Sequence, residues 1–210
     1  MKILENIIYL KKAINTINDL GFVPTMGGLH NGHISLIKKS KKKCKKTLIS
    51  IYINPRQFSS NKDFRSYPKT INKDLSKLKK LNVDYVFLPK TKDIYKKKLN
   101  KKIIISNKDQ VLCAKFRKGH FEGVLEIMSR LLNIIKPRYV FLGEKDFQQL
   151  FLIKKYLSKK YNTDIYSCET IRDKNFIALS TRNLLLSKKE LKIVSKISKK
   201  ILLLKKKKSF

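Results

Sequence analysis

Apolar positions along the chain alternate between two periods. Ile7, Leu10, Ile14, Ile17 and Leu20 recur at helical spacing and the stripe stops at Gly21, which predicts one amphipathic helix over that stretch. "GFVPT" then predicts a short strand, followed by a helix from about Gly32. "TLISIYI" is a continuous apolar, β-branched run of the kind a buried strand needs, and Asn54 and Pro55 end it. Beyond it the pattern predicts a helix near "KTINKDLSKLKKLN", a strand "DYVFLP", a long helix through "GVLEIMSRLLNII", a strand "RYVFLG" and a helix starting near Asp146. Strands separated by helices of this length are βαβ units, so the expected fold is α/β with a doubly wound, mainly parallel sheet.

In such sheets ligands sit beyond the carboxyl ends of the strands. The polar loops fall there: "PTMGGLHNGH" after the first predicted strand, "NPRQF" after the second and "GEKDFQQ" after the fourth. Three polar clusters are thus expected to converge on one edge of the sheet.

Composition changes this picture less than it first suggests. The 210 residues suffice for one ordinary domain with a real core, and 42% of them are hydrophobic. With 50 Lys+Arg against 15 Asp+Glu the formal charge is +35, a balance that invites an anionic partner and nucleic acid first. Only seven of the basic residues are Arg, however, and the lysines run through nearly every segment instead of forming one arm or face. Base readout and phosphate forks favour Arg, and single-strand binding favours basic grooves interleaved with aromatics. The charge is therefore read as a coding bias toward Lys, Ile and Asn, with weak adhesion to polyanions and no specific nucleic-acid partner. Cys44, Cys113 and Cys168 are odd in number and far apart, which indicates neither a disulfide framework nor a zinc ribbon. Glu5, Asn6, Lys11 and Lys12 interrupt any signal-peptide core, and no apolar run approaches membrane-spanning length. The expected location is the cytoplasm, with no membrane partner.

The glycine- and histidine-rich loop carries the chemistry. Gly27 and Gly32 have the spacing of a P-loop, but His33 and Ile34 stand where that motif needs Lys and Ser or Thr, and there is no GxGxxG. What remains is HxGH at a strand-to-helix junction. A helix N-terminus offers free N–H groups and a positive dipole end. Gly27, Gly28 and Gly32 let backbone approach a phosphate, and His30 and His33 add two donors. Such a set suits transfer at an α-phosphate, where donors placed on the developing charge lower the barrier. A metal pair or two incidental surface histidines are the alternatives; only His120 remains as a third imidazole, which leaves little for zinc.

"PTMGGLHNGHISLI", "SIYINPRQFSSNKDFRSYPKT", "FRKGHFEGV", "KPRYVFLGEKDFQQL" and "IRDKNFIALSTRN", in that order and spacing, resemble the motifs of the pantoate–β-alanine ligase (pantothenate synthetase) family. That family belongs to the HxGH nucleotidyltransferase-like group related to class I aminoacyl-tRNA synthetases. The resemblance runs from about Gly21 to Ser187 and implies a Rossmann-like nucleotidyltransferase domain and an AMP-forming ligase of pantothenate and coenzyme A biosynthesis. Pantoate and Mg-ATP give pantoyl adenylate and pyrophosphate; β-alanine then attacks the mixed anhydride, releasing AMP and pantothenate. A homodimer is common in the family.

Site roles follow from the resemblance position by position. Met26, Gly27, Gly28, Leu29, His30, Asn31, Gly32 and His33 would hold ATP, with His30, His33 and Lys145 catalytic and His33 at the position usually described as proton donor. Gly143, Glu144, Lys145 and Asp146 resemble the second ATP loop, Lys145 meeting phosphate and Asp146 the ribose hydroxyls; the quartet could also be a helix cap. Leu179, Ser180, Thr181 and Arg182, with Ile171 before them, resemble the mobile ATP segment, where an Arg can fork onto phosphate. Gln57 and Gln149 match the pantoate-binding glutamines, and amides can both donate to a carboxylate and accept from hydroxyls; the alternative is two solvated surface side chains. Asp74 aligns with a carboxylate near the magnesium.

The chain also departs from the family. Arg56 replaces a usual apolar residue, Lys118 a frequent Pro and Phe176 a frequent turn Gly. The domain expectation is a nucleotidyltransferase-like unit over 1–186 and, over 187–210, the start of a small C-terminal lid domain that is otherwise largely missing. There "SKKELKIVSKISKKILLLKKKKSF" predicts one helix opened by a Ser187/Glu190 capping box. Two other readings accompany the ligase: a truncated, inactive or partly active remnant of it, and a basic nucleic-acid-associated α/β protein. A pure binder would have no use for His33, Gln57, Lys145 and Gln149 together.

Overall fold

The computed structural model describes residues 1–96 and 103–207. In chain order the elements are β1 (Lys2–Leu4), α1 (Ile7–Ile14), β2 (Leu20–Thr25), α2 (Asn31–Lys43) and β3 (Lys46–Ile51). They continue with α3 (Asn61–Ser66), α4 (Ile71–Lys80), β4 (Tyr85–Phe87), α5 (Thr91–Ile94), α6 (Cys113–Phe116) and α7 (His120–Ile135). Last come β5 (Tyr139–Gly143), α8 (Phe147–Tyr161), β6 (Asp164–Cys168) and α9 (Lys188–Lys207). The strand order is β1-β4-β3-β2-β5-β6 and every pairing is parallel, so the doubly wound sheet is realised.

Burial explains why these runs are strands. Phe22, Val23, Leu48, Ile49, Val86, Val140 and Phe141 are wholly enclosed, because helices cover both faces of the sheet. One core cluster joins α1, α7 and α8 to one face, with Leu10, Leu125, Leu132 and Ile153 inside it. The other places Leu36 and Ile37 of α2 and Leu78 of α4 against Val23, Ile49 and Phe141.

The first helix is shorter than its stripe. Helix α1 ends at Ile14, and Leu20 is the first residue of β2. Ile17 still packs on the core from the connecting turn, so apolar spacing continues past the point where the backbone leaves the helix. The pattern also misses β1, β6 and α3: β1 has three residues, and β6, at the sheet edge, is exposed at Asp164, Tyr166 and Ser167 and buried only at Cys168. The capping box before α9 is present, Glu190 Oε2 accepting from Ser187 N–H (2.7 Å) and Ser187 Oγ from Glu190 N–H (3.3 Å). The Lys-rich end of the 187–210 segment beyond residue 207 lies outside the described residues.

Strand β2 feeds α2 and β3 on one side, whereas β5 and β6 lie on its other side. The order reverses between β2 and β5, and a crevice opens where their connecting loops diverge. Those loops are the HxGH turn and Glu144–Asp146.

Candidate functional site

One cleft at this switch point gathers most of the expected residues: Met26, His30, Gly32 and His33 from the first loop, and Gln57 from the turn after β3. Gly143, Lys145, Asp146 and Gln149 come from the β5–α8 junction, with Ile171, Leu179, Ser180, Thr181 and Arg182 from the segment before α9. Gly27, Gly28, Leu29, Asn31, Glu144 and Asp74 do not line it. Leu29 is buried in the core, and Glu144 accepts from the Ser167 hydroxyl on the surface (2.6 Å).

The two histidines form the capping box of α2. His30 is the N-cap, its Nδ1 accepting from Gly32 N–H (3.1 Å), while Nδ1 of His33 accepts from His30 N–H (3.3 Å). A ring nitrogen that accepts carries no proton, so each neutral imidazole bears its hydrogen on Nε2. The rings sit 4.1 Å apart, centroid to centroid. Desolvation pushes His33 down to about 3, helped by His30 and Lys145; desolvation, then Lys145 and Lys77, hold His30 at about 4. Both are neutral near pH 7. His33 therefore presents its Nε2–H as a hydrogen-bond donor in the unliganded protein.

The glycine loop is held as a frame by its own neighbours. Gly27 N–H donates to Thr25 Oγ1 (3.2 Å), and Gly28 and Leu29 N–H donate to Asp74 Oδ2 and Oδ1 (2.9 and 2.8 Å). On the carbonyl side Thr181 Oγ1 donates to Gly28 O (3.0 Å) and Lys77 Nζ to Leu29 O. The loop's N–H groups from 27 to 29 are thus paired inside the protein, which leaves the helix N-terminus and the two imidazoles as the donors that face outward. The glycines serve geometry instead: φ is +81° at Gly27 and +62° at Gly28, and a side chain at Gly28 would collide with Thr181. Asp74 is the acceptor behind this frame. Its carboxylate is 1% exposed and takes three donors, the two N–H groups and the Thr70 hydroxyl (3.0 Å). Among the described residues no group of three His, Cys, Asp or Glu could hold a metal ion.

The cationic groups are present but partnered. Arg182 forks onto Asp63 (Nε–Oδ1 3.1 Å, Nη2–Oδ2 2.9 Å) and lies over Tyr67, 5.1 Å from the ring centroid. Lys145 pairs with Asp146 (3.0 Å). Both pairs are solvent-facing and worth little, so an incoming phosphate can displace them. Ser180 caps the following turn by accepting from Arg182 N–H (3.3 Å). Phe176 itself adopts the left-handed conformation, φ +67°, at a cost of about 1 kcal/mol or more, while Asp173 accepts from Asn175 and Ile177 N–H (2.8 and 2.9 Å).

Sequence reasoning misses the group that fixes Gln57. His120, at the start of α7, donates from Nδ1 to Gln57 O (2.5 Å) and accepts at Nε2 from Arg117 Nη1 (3.0 Å); desolvation lowers its pKa, so it stays neutral. Asn54, 1% exposed, donates to Gln57 Oε1 (3.2 Å) and Gly123 O (3.3 Å), and Tyr95 donates to its Oδ1 (2.8 Å). Arg56, where the family motif has an apolar residue, stacks on Tyr95 at 4.0 Å and pairs with Glu126 (2.9 Å). The only signal for His120 is its place in "FRKGHFEGV", a motif that by itself assigns it no role. Gln149 faces Gln57's cleft from α8, and its amide has no protein partner among the described residues.

Comparison with known proteins places this geometry. The family profile described as pantoate-beta-alanine ligase matches residues 2–210. A pantothenate synthetase from Ruthia magnifica is 46% identical over 195 residues, covering 90% of this chain and 70% of that protein. One from Francisella tularensis subsp. novicida is 42% identical, covering 94% and 77%. The crystal structure of the Francisella tularensis pantoate-beta-alanine ligase, complexed with beta-gamma ATP and beta-alanine, superposes with a TM-score of 0.90 at 41% identity, over 95% of this chain and 78% of that one. The pantothenate synthetase of Thermus thermophilus gives 0.87 at 28% identity, over 93% of this chain and 71% of that one.

Proposed function

The chain belongs to the pantoate–β-alanine ligase family, and from that premise we propose how its own residues carry out the synthesis of pantothenate. In the first half-reaction a carboxylate oxygen of (R)-pantoate bonds to the α-phosphorus of ATP as the bond to the β-bridging oxygen breaks, and pyrophosphate leaves. In the second, the amine of β-alanine attacks the acyl carbon, loses a proton, and AMP departs with the carbonyl–phosphate bond's electrons.

The observation that carries this reading is the histidine capping box opening onto the same cleft as Gln57 and Gln149. Two neutral Nε2–H donors, held by their own helix, meet the charge that builds on the α-phosphate, with no reorganisation at the moment of reaction. Lys145 leaves Asp146 and Arg182 leaves Asp63 for the phosphates, and Asp146 becomes free to accept from the ribose. Ile171 and Leu179 bracket the nucleoside, while Ser180 and Thr181 hold the segment that carries Arg182. Gln57 and Gln149 fix pantoate by donating to its carboxylate and accepting from its hydroxyls. Magnesium is assigned to the nucleotide's phosphates rather than to a protein cage, consistent with the donor set. No step here runs through the metal.

Three scattered free cysteines suit a reducing, cytoplasmic setting, and no described helix is long and apolar enough to cross a membrane. The working unit is a homodimer. The purified chain is expected to catalyse isotope exchange between pyrophosphate and ATP only when pantoate is present, and to form pantothenate once β-alanine is added. Exchange indifferent to pantoate would refute the substrate assignment. In the same preparation, sedimentation at micromolar concentration should give the dimer mass.

A further inference from the structure

We propose that Asp74 is a positioning residue for adenylation: a buried strut on α4 that holds the HxGH turn, and through it His30 and His33, in the reactive geometry. The inference rests on the ligase reading and extends it to a residue outside the cleft. Three observations carry it. Asp74 reaches across 45 and 46 positions of sequence to accept from consecutive amides, Leu29 N–H (2.8 Å) and Gly28 N–H (2.9 Å), one per oxygen. Those amides immediately precede the His30 peptide, whose N–H is held by His33 Nδ1. Thr70 orients Oδ2 from one helical turn earlier (3.0 Å), and Lys77, one turn later on α4, donates to Leu29 O.

Helix α4 thus grips both the N–H and the C=O side of the turn, while Thr181 grips it from the opposite segment. The bidentate geometry matters. A single acceptor would let the two peptides rotate about their shared Cα, whereas one planar carboxylate on both fixes their relative orientation. The left-handed backbone at Gly27 and Gly28 is the conformation that turns these amides toward α4. The first rings downstream are the capping-box histidines, so any rotation of the turn translates into displacement of their Nε2–H groups.

Asp74→Asn tests the strut. The amide can accept from one backbone N–H, but its own NH₂ then opposes the other, so the turn must move. Amide exchange reads the strut without any turnover: Gly28 and Leu29 N–H exchange slowly in the wild type and are expected to lose protection in Asp74→Asn. Adenylation kcat at saturating Mg-ATP is expected to fall by about 10²-fold, the scale for misplacing a reacting group by about an ångström. The magnesium half-saturation and the pantoate KM should stay at wild-type values. In a cycle with His33→Asn, the double variant should lose much less than the product of the two single losses, because part of what Asp74→Asn costs passes through the His33 imidazole. Unchanged protection, a raised magnesium requirement, or losses that multiply would each overturn the proposal. If Asp74→Asn fails to fold, Thr70→Val keeps the carboxylate and frees one oxygen: a smaller, still non-multiplying loss supports the strut, and unchanged kcat refutes it. A wild type lacking pantoate-dependent exchange would fault the ligase reading instead, and the amide-exchange comparison would still judge the strut.

Discussion

His33→Asn is expected to lower the adenylation rate by roughly 10² to 10³ while leaving stability near wild type, the loss typical of removing one preorganised donor from a developing oxyanion. The choice of replacement follows from the two jobs of the ring. Its Nδ1 accepts from His30 N–H and its Nε2–H faces the cleft. Asparagine places an acceptor oxygen near the position of Nδ1 and nothing where Nε2 was, so the cap survives and the donor is lost. His33→Gln does the reverse: it reaches toward the Nε2 position with an NH₂ but gives up the cap, costing about 1 kcal/mol of stability. Its rate should fall less than that of His33→Asn. Thermal midpoints and single-turnover adenylation at saturating Mg-ATP and pantoate separate the two effects. If His33→Asn keeps the wild-type rate, the ring is a cap and nothing more, and the site assignment fails even though the fold stands.

The histidine pair is legible in the sequence because its signal is local. Two imidazoles three positions apart at a helix start are visible as a string, and the capping box they form needs no distant partner. The strands that bracket the cleft are legible for a related reason: burial on both faces leaves unbroken apolar runs such as "TLISI", whereas β6, exposed along one edge, carries no such run. Leu20 shows the limit of periodicity. It lies on the helical stripe of Ile7, Leu10 and Ile14, yet the chain turns at Asn15 and uses Leu20 as a strand residue, a decision made by pairing with Lys46 that spacing cannot encode.

Asp74, His120 and Gly123 are illegible in a stricter sense. Each acts on a segment 45 or more residues away, and nothing adjacent in the chain marks it. Asp74 is singled out only because it aligns with a carboxylate near the magnesium in the family motif, and its two backbone donors become visible only in the fold. Arg182 is intermediate: its motif brings it to the cleft, but its partner Asp63 belongs to α3, a helix the apolar pattern does not show.

Gly123→Ala should be the most damaging single methyl in the pantoate half of the cleft. By helix propensity alone, alanine in the interior of α7 would gain about 0.8–1.0 kcal/mol over glycine. Here the added Cβ would strike the carbonyl oxygen of Arg56, with the Arg56 carbonyl carbon at 2.8 Å and Gln57 Cα at 3.1 Å. All three are backbone atoms and cannot rotate aside. Overpacking of this kind costs about 1–3 kcal/mol, so the clash outweighs the propensity gain and the Pro55–Gln57 turn must retreat from α7. That turn is gripped along one helical face, by His120 on Gln57 O, Gly123 O on Asn54, and Glu126 on Arg56. Displacing it moves the Gln57 amide relative to Gln149, and the pantoate KM is expected to rise by about 10²-fold. The ATP KM should change little, since the HxGH turn is braced by α4 and Thr181 instead. Arg56→Gln is the contrasting variant: it removes a half-exposed pair with Glu126 and a stack on Tyr95, each worth at most about 1 kcal/mol, and leaves the backbone contact with the glycine intact, so its pantoate KM should remain that of the wild type. A Gly123→Ala protein that binds pantoate normally would mean that Gln57 does not hold this substrate, whatever the histidines do on the other side of the cleft.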